Sequence, residues 1–403
     1  MSSEALRVTV VGLNYAPEPT GIAPYTASLA RSTVAGGHEV TVICSHPHYP
    51  QWRRDDSALT DFETAGVRVE RRTHYIPSSP RGLRRLWSEV SFGMTSTLAR
   101  WRSPEVLVIV SPALFASVIA MVRARLVSRV RTIVWVQDLY SQGLAETGEG
   151  RGPILKIAHV LESWTLRGAD GIVAIHPAMA DRMVSDLKVD RDLIDIIPNW
   201  THITPADVSR AEARRRLGWD PHGFIALHAG NMGAKQGLDN VVAAAREASD
   251  QGVEVSFVLL GDGSDRARLE ELGHGIESLT FVAPLSGDDF PFALAAADAL
   301  IVNEAPGVKE MAAPSKLTSY FAAGRPVAAA VASDGVVASI MAESQAGLVV
   351  GNEDPKELLV ALDGLRADLR LQEQYGDAAR SYWTNRLSAS AALTAWKTII
   401  EKC

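Results

Sequence analysis

Residues 7–30 read RVTVVGLNYAPEPTGIAPYTASLA: a short β-branched run, a turn rich in Gly and Pro, then a helical pattern. Strand, loop and helix in direct succession form the first half of a βαβ crossover, the unit from which parallel sheets are built. Outward from this stretch the unit recurs. The runs HEVTVIC (38–44), VRVERR (67–72), EVLVIVS (105–111), RTIVWVQD (131–138) and GIVAIH (171–176) end near polar, Gly or Pro residues and alternate with helical segments. The expected fold class is α/β, with helices on both faces of a parallel sheet.

The pattern pauses at residues 195–204, DIIPNWTHIT, where Pro198, Asn199 and Pro205 follow a short apolar strand and mark an interdomain linker. A second series follows: GFIALHAG (223–230), EVSFVLLGDG (254–263), LTFVAP (279–284), ALIVNE (299–304) and RPVAAAVA (325–332). A chain of 403 residues exceeds one core, so two domains of about 200 residues each are expected, divided as 1–203 and 204–381. In the last segment, 382–403, Trp383, Leu387, Leu393, Trp396, Ile399 and Ile400 recur at helical spacing, giving one or two amphipathic helices.

Charge and cysteine content exclude several classes. A net charge of −7 argues against nucleic-acid binding, which needs basic surface to neutralise phosphates. Two cysteines, Cys44 and Cys403, cannot form a disulfide framework and suit a reducing compartment. The opening residues run almost directly into a strand without the pattern of a signal peptide, so a cytoplasmic location is expected. The uncharged run 106–122 carries Ser111 and Pro112 at its middle and reads as strand, turn and helix rather than a membrane span.

In open parallel sheets ligands bind beyond the carboxyl ends of the strands, so Gly-containing loops after strands are the candidate sites. Gly21 precedes a helix expected to start near Ile22, where a phosphate or sugar can approach free amides; the competing reading is a loop shaped by Pro17, Pro19 and Gly21. The loop lacks the Gly-x-Gly-x-x-Gly spacing of dinucleotide enzymes. In HAGNMGAKQGLDNVV (228–242), Gly230, Gly233 and Gly237 bracket Lys235, a combination suited to a diphosphate although not a P-loop. Gly261, Asp262 and Gly263 follow the next strand. Pro314, Ser315 and Lys316 precede a helix through Leu317, which Ser315 would cap; its amides and Lys316 would hold an anionic leaving group, or else cap and charge are merely structural.

These segments, together with GGHEVTVICSHPHYPQW (36–52), VWVQDLYSQ (134–142), IIPNW (196–200) and PSKLTSYFAAGRPVAAA (314–330), resemble, in order, the family 4 glycosyltransferases that build bacterial surface polysaccharides. The resemblance implies a GT-B fold of two Rossmann-like domains facing across a cleft, with the nucleotide sugar on the C-terminal domain, the acceptor on the N-terminal one, and the last helix packed back on the first. It implies donor contacts at Gly21, Gly230, Asn231, Lys235, Gly261, Asp262, Gly263, Pro314, Ser315, Lys316 and Leu317. Acceptor contacts are implied at His46, His48, Tyr49 and Asp138, and catalytic roles for Lys235, Lys316 and Asp138. The implied chemistry is a retaining transfer from a UDP- or GDP-sugar co-substrate to a saccharide or lipid-linked acceptor, with neither cofactor nor metal. Two positions depart from the family pattern: its glutamate pair reads Met311 and Ser319, with Glu304 or Glu310 as substitutes, and its usual Arg reads Asn231.

Between Arg81 and Arg102, Leu83, Leu86, Trp87, Val90, Met94, Leu98 and Trp101 fall at helical spacing with arginines at the ends. The stripe faces either the core or an anionic membrane at the inner face of the plasma membrane. The alternatives to transfer are a GT-B nucleotide-sugar epimerase and a noncatalytic nucleotide-sugar-binding scaffold.

Overall fold

The computed structural model describes residues 5–402 apart from 19–20, 50, 60–63, 80–81, 128–129, 148–152, 202 and 309–314. The chain divides into one unit of Met1–Pro198 with Ala392–Cys403 and a second of Asn199–Ala391.

The first unit is built on seven parallel strands: β1 (Arg7–Val11), β2 (Glu39–Ser45), β3 (Arg68–Arg72), β4 (Val106–Ser111), β5 (Arg131–Val136), β6 (Gly171–Ala174) and β7 (Ile194–Ile196). Their spatial order is β3-β2-β1-β4-β5-β6-β7. The central strands β4 and β5 are apolar because helices cover both faces. Val11, Leu107, Ile109, Val134 and Ile172 meet Phe92, Met121 and Met179 from those helices in one buried cluster. The expected helix after Gly21 is Ala23–Ala35. The run 106–122 is β4 followed by the helix Leu114–Val127, and among the described residues no helix is long and apolar enough to cross a membrane.

The second unit repeats this plan with β8 (Phe224–Ala229), β9 (Val255–Leu260), β10 (Leu279–Val282), β11 (Ala299–Asn303), β12 (Val327–Ala330) and β13 (Gly347–Val350), ordered β10-β9-β8-β11-β12-β13. Strand β13 was not foreseen. It has four residues, lies at the sheet edge and is only partly covered, so its pattern is weak. In both sheets the order reverses beside the first strand, between β1 and β4 and between β8 and β11, opening a crevice at the carboxyl ends.

The last segment changes allegiance later than residue 382. Tyr382, Trp383 and Leu387 pack in the core of the second unit, Tyr382 edge-on to Phe321 at 5.7 Å, and the helix Ala389–Glu401 supplies the first only from Ala392 onward. There Trp396 meets Trp135 at 4.9 Å between ring centroids, Arg131 donates to the Ile399 carbonyl at 2.8 Å, and His38 Nε2 lies 3.2 Å from Glu401 Oε1. Both indoles are fully buried. Trp396→Ala is therefore expected to cost roughly 3–5 kcal/mol and to release the last helix to protease, as read by urea unfolding and limited proteolysis.

Candidate functional site

In the second unit the loops that end β8 and β9 touch through their backbones. A Cβ on Gly261 would lie 2.0 Å from the Gly230 carbonyl oxygen, and one on Gly263 would lie 2.5 Å from that of Met232. The Met232 amide donates to the Asp262 carbonyl at 2.8 Å and the Gly230 amide to Leu260 at 2.8 Å. Asn303, buried at the end of β11, donates to the carbonyls of Gln236 and Gly237, both at 2.9 Å, and accepts from Asn240 at 2.9 Å. This asparagine fixes the glycine-rich loop, a role with no local signature.

Lys316 crosses this crevice from the helix Ser315–Ala323, whose Tyr320 hydroxyl accepts from the Ala229 amide at 2.8 Å. Its stem lies over Gly230 (φ +131°), where a Cβ would come within 2.9 Å of Lys316 Cε. Lys316 Nζ is 3.1 Å from His228 Nε2 and 3.4 Å from the Asn231 carbonyl. Burial lowers the ammonium to about 8, although the nearby Glu304 opposes the shift. Burial, assisted by Lys316, lowers His228 to about 3, so the imidazole is neutral and its Nε2 lone pair accepts from the lysine. Glu304 is buried and raised for the same reason.

The other expected donor residues sit around this centre. Asn231, Lys235 and Asp262 have exposed side chains; the Lys235 carbonyl accepts from Ala305 at 2.9 Å and Asp262 Oδ1 from the Gly263 amide at 2.8 Å. Leu317 is buried in the core rather than open to a ligand, because its helix turns that face toward the sheet. Ser315 is the first helical residue, not the residue before it. Pro314, Glu310 and Met311 lie outside the described residues.

The first unit holds a cavity of about 310 Å³ at the carboxyl ends of β1 and β4. Gly21 (φ +67°) and Tyr49 share its wall, a Cβ on Gly21 falling 3.3 Å from the Tyr49 ring. His48 and Trp52 line it from the same loop. Behind them the buried Glu18 holds the loop: Oε1 accepts from the amides of His48 and Tyr49 at 2.8 and 2.9 Å, and Oε2 from Asn14 at 2.9 Å. His46 turns elsewhere, to Asp56 at 2.9 Å, and Asp138 is exposed after β5, where Glu162 is raised by burial with a small addition from the Asp138 charge. Neither is among the cavity-lining residues.

The opposite wall comes from the helix Gly82–Thr97 through Arg85, Ser88 and Glu89, which were not foreseen. Its apolar stripe faces outward: Leu83, Trp87, Met94 and Leu98 are 77, 54, 56 and 75% exposed. Trp101 departs from the stripe; it lies beyond the helix, buried under Arg123 at 4.1 Å. The inward face is instead Ser88, Glu89, Phe92, Gly93 and Ser96, whose small residues allow close packing: a Cβ on Gly93 would meet Ile119 at 2.7 Å. Burial raises Glu89 to about 7 against the opposing Arg85, whose Nε is 3.3 Å away. A helical-wheel signal existed, since Glu89 shares a face with Phe92 and Ser96, but the apolar stripe dominated it.

Residues 20–200 match the family described as "Glycosyl transferase 4-like domain", and residues 223–368 that described as "Glycosyl transferases group 1". WcaI of Escherichia coli K12, named for colanic acid biosynthesis, is 32% identical over 340 residues, which span 79% of this chain and 82% of the relative. Sucrose-phosphate synthase from Thermosynechococcus elongatus superposes with a TM-score of 0.73 at 17% identity over 98% of each chain. Anabaena HepE in complex with UDP gives 0.70 at 14% identity over 99% of this chain and 100% of its own. The fold is therefore GT-B, two Rossmann-like domains.

Glu89 gives this geometry a measurable consequence. The ionised carboxylate is the disfavoured form in the fold, so its cost is absent below the usual range near 4.5, grows as pH rises and is complete above about 7. Glu89→Gln is expected to leave stability unchanged at pH 4 and to raise it at pH 8 by about 3 kcal/mol, at 1.36 kcal/mol per unit, in urea unfolding at the two pH values.

Proposed function

Because the chain belongs to the group 1 glycosyltransferases with a glycosyl transferase 4-like N-terminal domain, we propose that this glycosyltransferase moves a sugar from a UDP- or GDP-sugar to a saccharide or lipid-linked acceptor in bacterial surface polysaccharide or glycoconjugate synthesis. The observation that carries the reading is Lys316: a partly desolvated ammonium held over Gly230 at the strand-order reversal. A diphosphate there would restore the charge that burial disfavours. UDP in HepE and the colanic acid context of WcaI support the donor class and the pathway class.

In the proposed reaction the acceptor hydroxyl attacks the anomeric carbon from the face that the nucleoside diphosphate leaves. The bond from anomeric carbon to phosphate oxygen breaks, the new glycosidic bond forms on the same face, and the departing phosphate takes the hydroxyl proton. Configuration is retained. Lys316 stabilises the growing charge on the leaving group, with Lys235 as an outer, exposed contributor, and no metal enters the step. His48 and Tyr49 belong to the acceptor side. The outward apolar stripe of Gly82–Thr97, with Arg84 and Arg100 near its ends, supports docking to an anionic bilayer on the cytoplasmic side.

Two measurements test this. Lys316→Ala is expected to weaken UDP or GDP binding roughly 10- to 100-fold, the range of one charge-assisted contact, with Lys235→Ala milder. Wild-type affinity should fall between pH 7 and 9 as the ammonium near 8 loses its proton, and that slope should vanish in Lys316→Ala; calorimetry that finds both lysine variants unaltered would remove the donor site. For the membrane, wild type should co-sediment with phosphatidylglycerol vesicles at low salt and Leu83→Ser/Trp87→Ser should not. Equal sedimentation of the two would reject this face.

A further inference from the structure

Arginines of the second unit crowd around one buried carboxylate at the amino ends of β11 and β12, the end of the sheet away from Lys316. Asp298, just before β11, is already taken: it pairs with Arg210 and Arg214 and accepts from the Ile225 amide at 2.7 Å. Arg325, just before β12, donates to the Ala295 carbonyl at 2.6 Å. Arg380, from the helix Leu369–Tyr382, lies against Gly324 (φ +63°), where a Cβ would come within 2.7 Å of its Nη2. Among the described residues neither Arg325 nor Arg380 has an ion-pair partner. Burial and then the Arg210 charge lower Arg325 to about 10 against the opposing Asp298, with Arg380 and Arg214 adding to the shift. Cations held this close without matching carboxylates raise one another's energy, a cost that a bound anion removes.

Arg210, Arg325 and Arg380 line one cavity of about 480 Å³ together with Asp298, Glu373 and Asp377. We propose that this cavity binds a phosphate dianion, free or carried on a sugar, with Arg325 and Arg380 as its direct partners and Arg210 shared between it and Asp298. A guanidinium presents two parallel N–H donors in one plane, the geometry that phosphate oxygens accept. The volume lies in the range of small-ligand pockets and leaves room for a hexose beside the phosphate. The site stands on this cavity alone and needs nothing from the transfer reading.

The carboxylates set what such a site admits. Arg214 is buried behind the wall and fully engaged, by Asp298 and by the carbonyls of Ala296, Pro221 and Gly223 at 2.9, 3.2 and 2.9 Å. Glu373 and Asp377 are exposed on the helix that carries Arg380 and share a face with it, so they meet the outer part of a ligand. There they would accept the hydroxyls of an attached sugar and repel a bare anion. The helix Ser315–Ala323 separates this cavity from the donor crevice: Lys316 stands in its first turn and Arg325 just past its end. Nine residues span about 13 Å, at about 1.5 Å each, so both places can be filled at once.

The test is calorimetry on the full chain at low salt with inorganic phosphate, glucose 6-phosphate and glucose. The two anions should bind and glucose should not; an ester that binds more tightly than phosphate identifies a phosphorylated sugar, and equal affinities identify free phosphate. Arg380→Gln should weaken both anions about tenfold, as loss of one charge-assisted contact does, and leave UDP affinity unchanged. Arg380 is exposed, so urea unfolding of that variant should match wild type. Arg325→Lys keeps the charge but loses the planar fork and should weaken the anions as well. Asp377→Asn should tighten inorganic phosphate by removing a like charge. Phosphate also suits the Lys316 crevice, so the titrations are repeated in Lys316→Ala, where binding at the arginine cavity should persist. Failure of both anions to bind wild type, glucose binding as well as its phosphate, undiminished binding in both arginine variants, or binding lost in Lys316→Ala and kept in Arg380→Gln would overturn the proposal. A chain that binds phosphate through Arg380 but does not bind UDP keeps this cavity and loses the donor site, and one that binds UDP but neither anion does the reverse.

Discussion

Backbone rests on backbone where β8 and β9 end, and the proposed donor site of the second unit depends on that contact. With 2.0 Å between a Gly261 Cβ and the Gly230 oxygen, no side chain can intervene. The two loops therefore pack against each other at the carboxyl ends of their strands, with Gly230 bare beneath Lys316. The lysine is then held by His228 below and the Tyr320 anchor behind, losing solvation without losing its place. A preorganised, partly desolvated cation is what stabilisation of a leaving diphosphate requires.

The first unit uses carboxylates in two ways. Glu18 is buried but receives N–H donors on both oxygens, and so fixes the loop of His48 and Tyr49. Glu89 is equally buried with fewer donors, and its ionised form carries an uncompensated cost. Ionisation of Glu89 thus works against the fold, whereas the donors around Glu18 tie its loop in place. The helix Gly82–Thr97 carries both consequences, a polar inner face on the cavity and an apolar outer one in solvent.

Much of this was legible residue by residue. Hydrophobic runs such as VLVIV and FIALHA are long enough to be fully buried parallel strands, and the Gly and Pro that follow them punctuate locally, so strands, crossovers and strand-end loops could be read directly. Lys316 could be singled out as a candidate for the same reason, since it follows a loop and opens a helix. Glu89, Ser88, Asn303 and Glu18 were not, because each acquires its role from residues far along the chain: Glu18 from His48, Asn303 from Gln236. The change of unit at Ala392 was misplaced because Tyr382 and Trp396 look alike in a helical pattern, although one packs against Phe321 and the other against Trp135.

The amino-acid sequence by itself determined two α/β units, their order of elements, the glycine-lined loops and the family, because periodicity, turn chemistry and motif order are properties of neighbouring residues. Tertiary structure alone decided which charges lose water and which polar atoms stay unpartnered. Lys235 and Lys316 are both lysines beside glycine loops, but one is exposed and the other lowered to about 8, since desolvation depends on what the fold brings over a side chain from elsewhere.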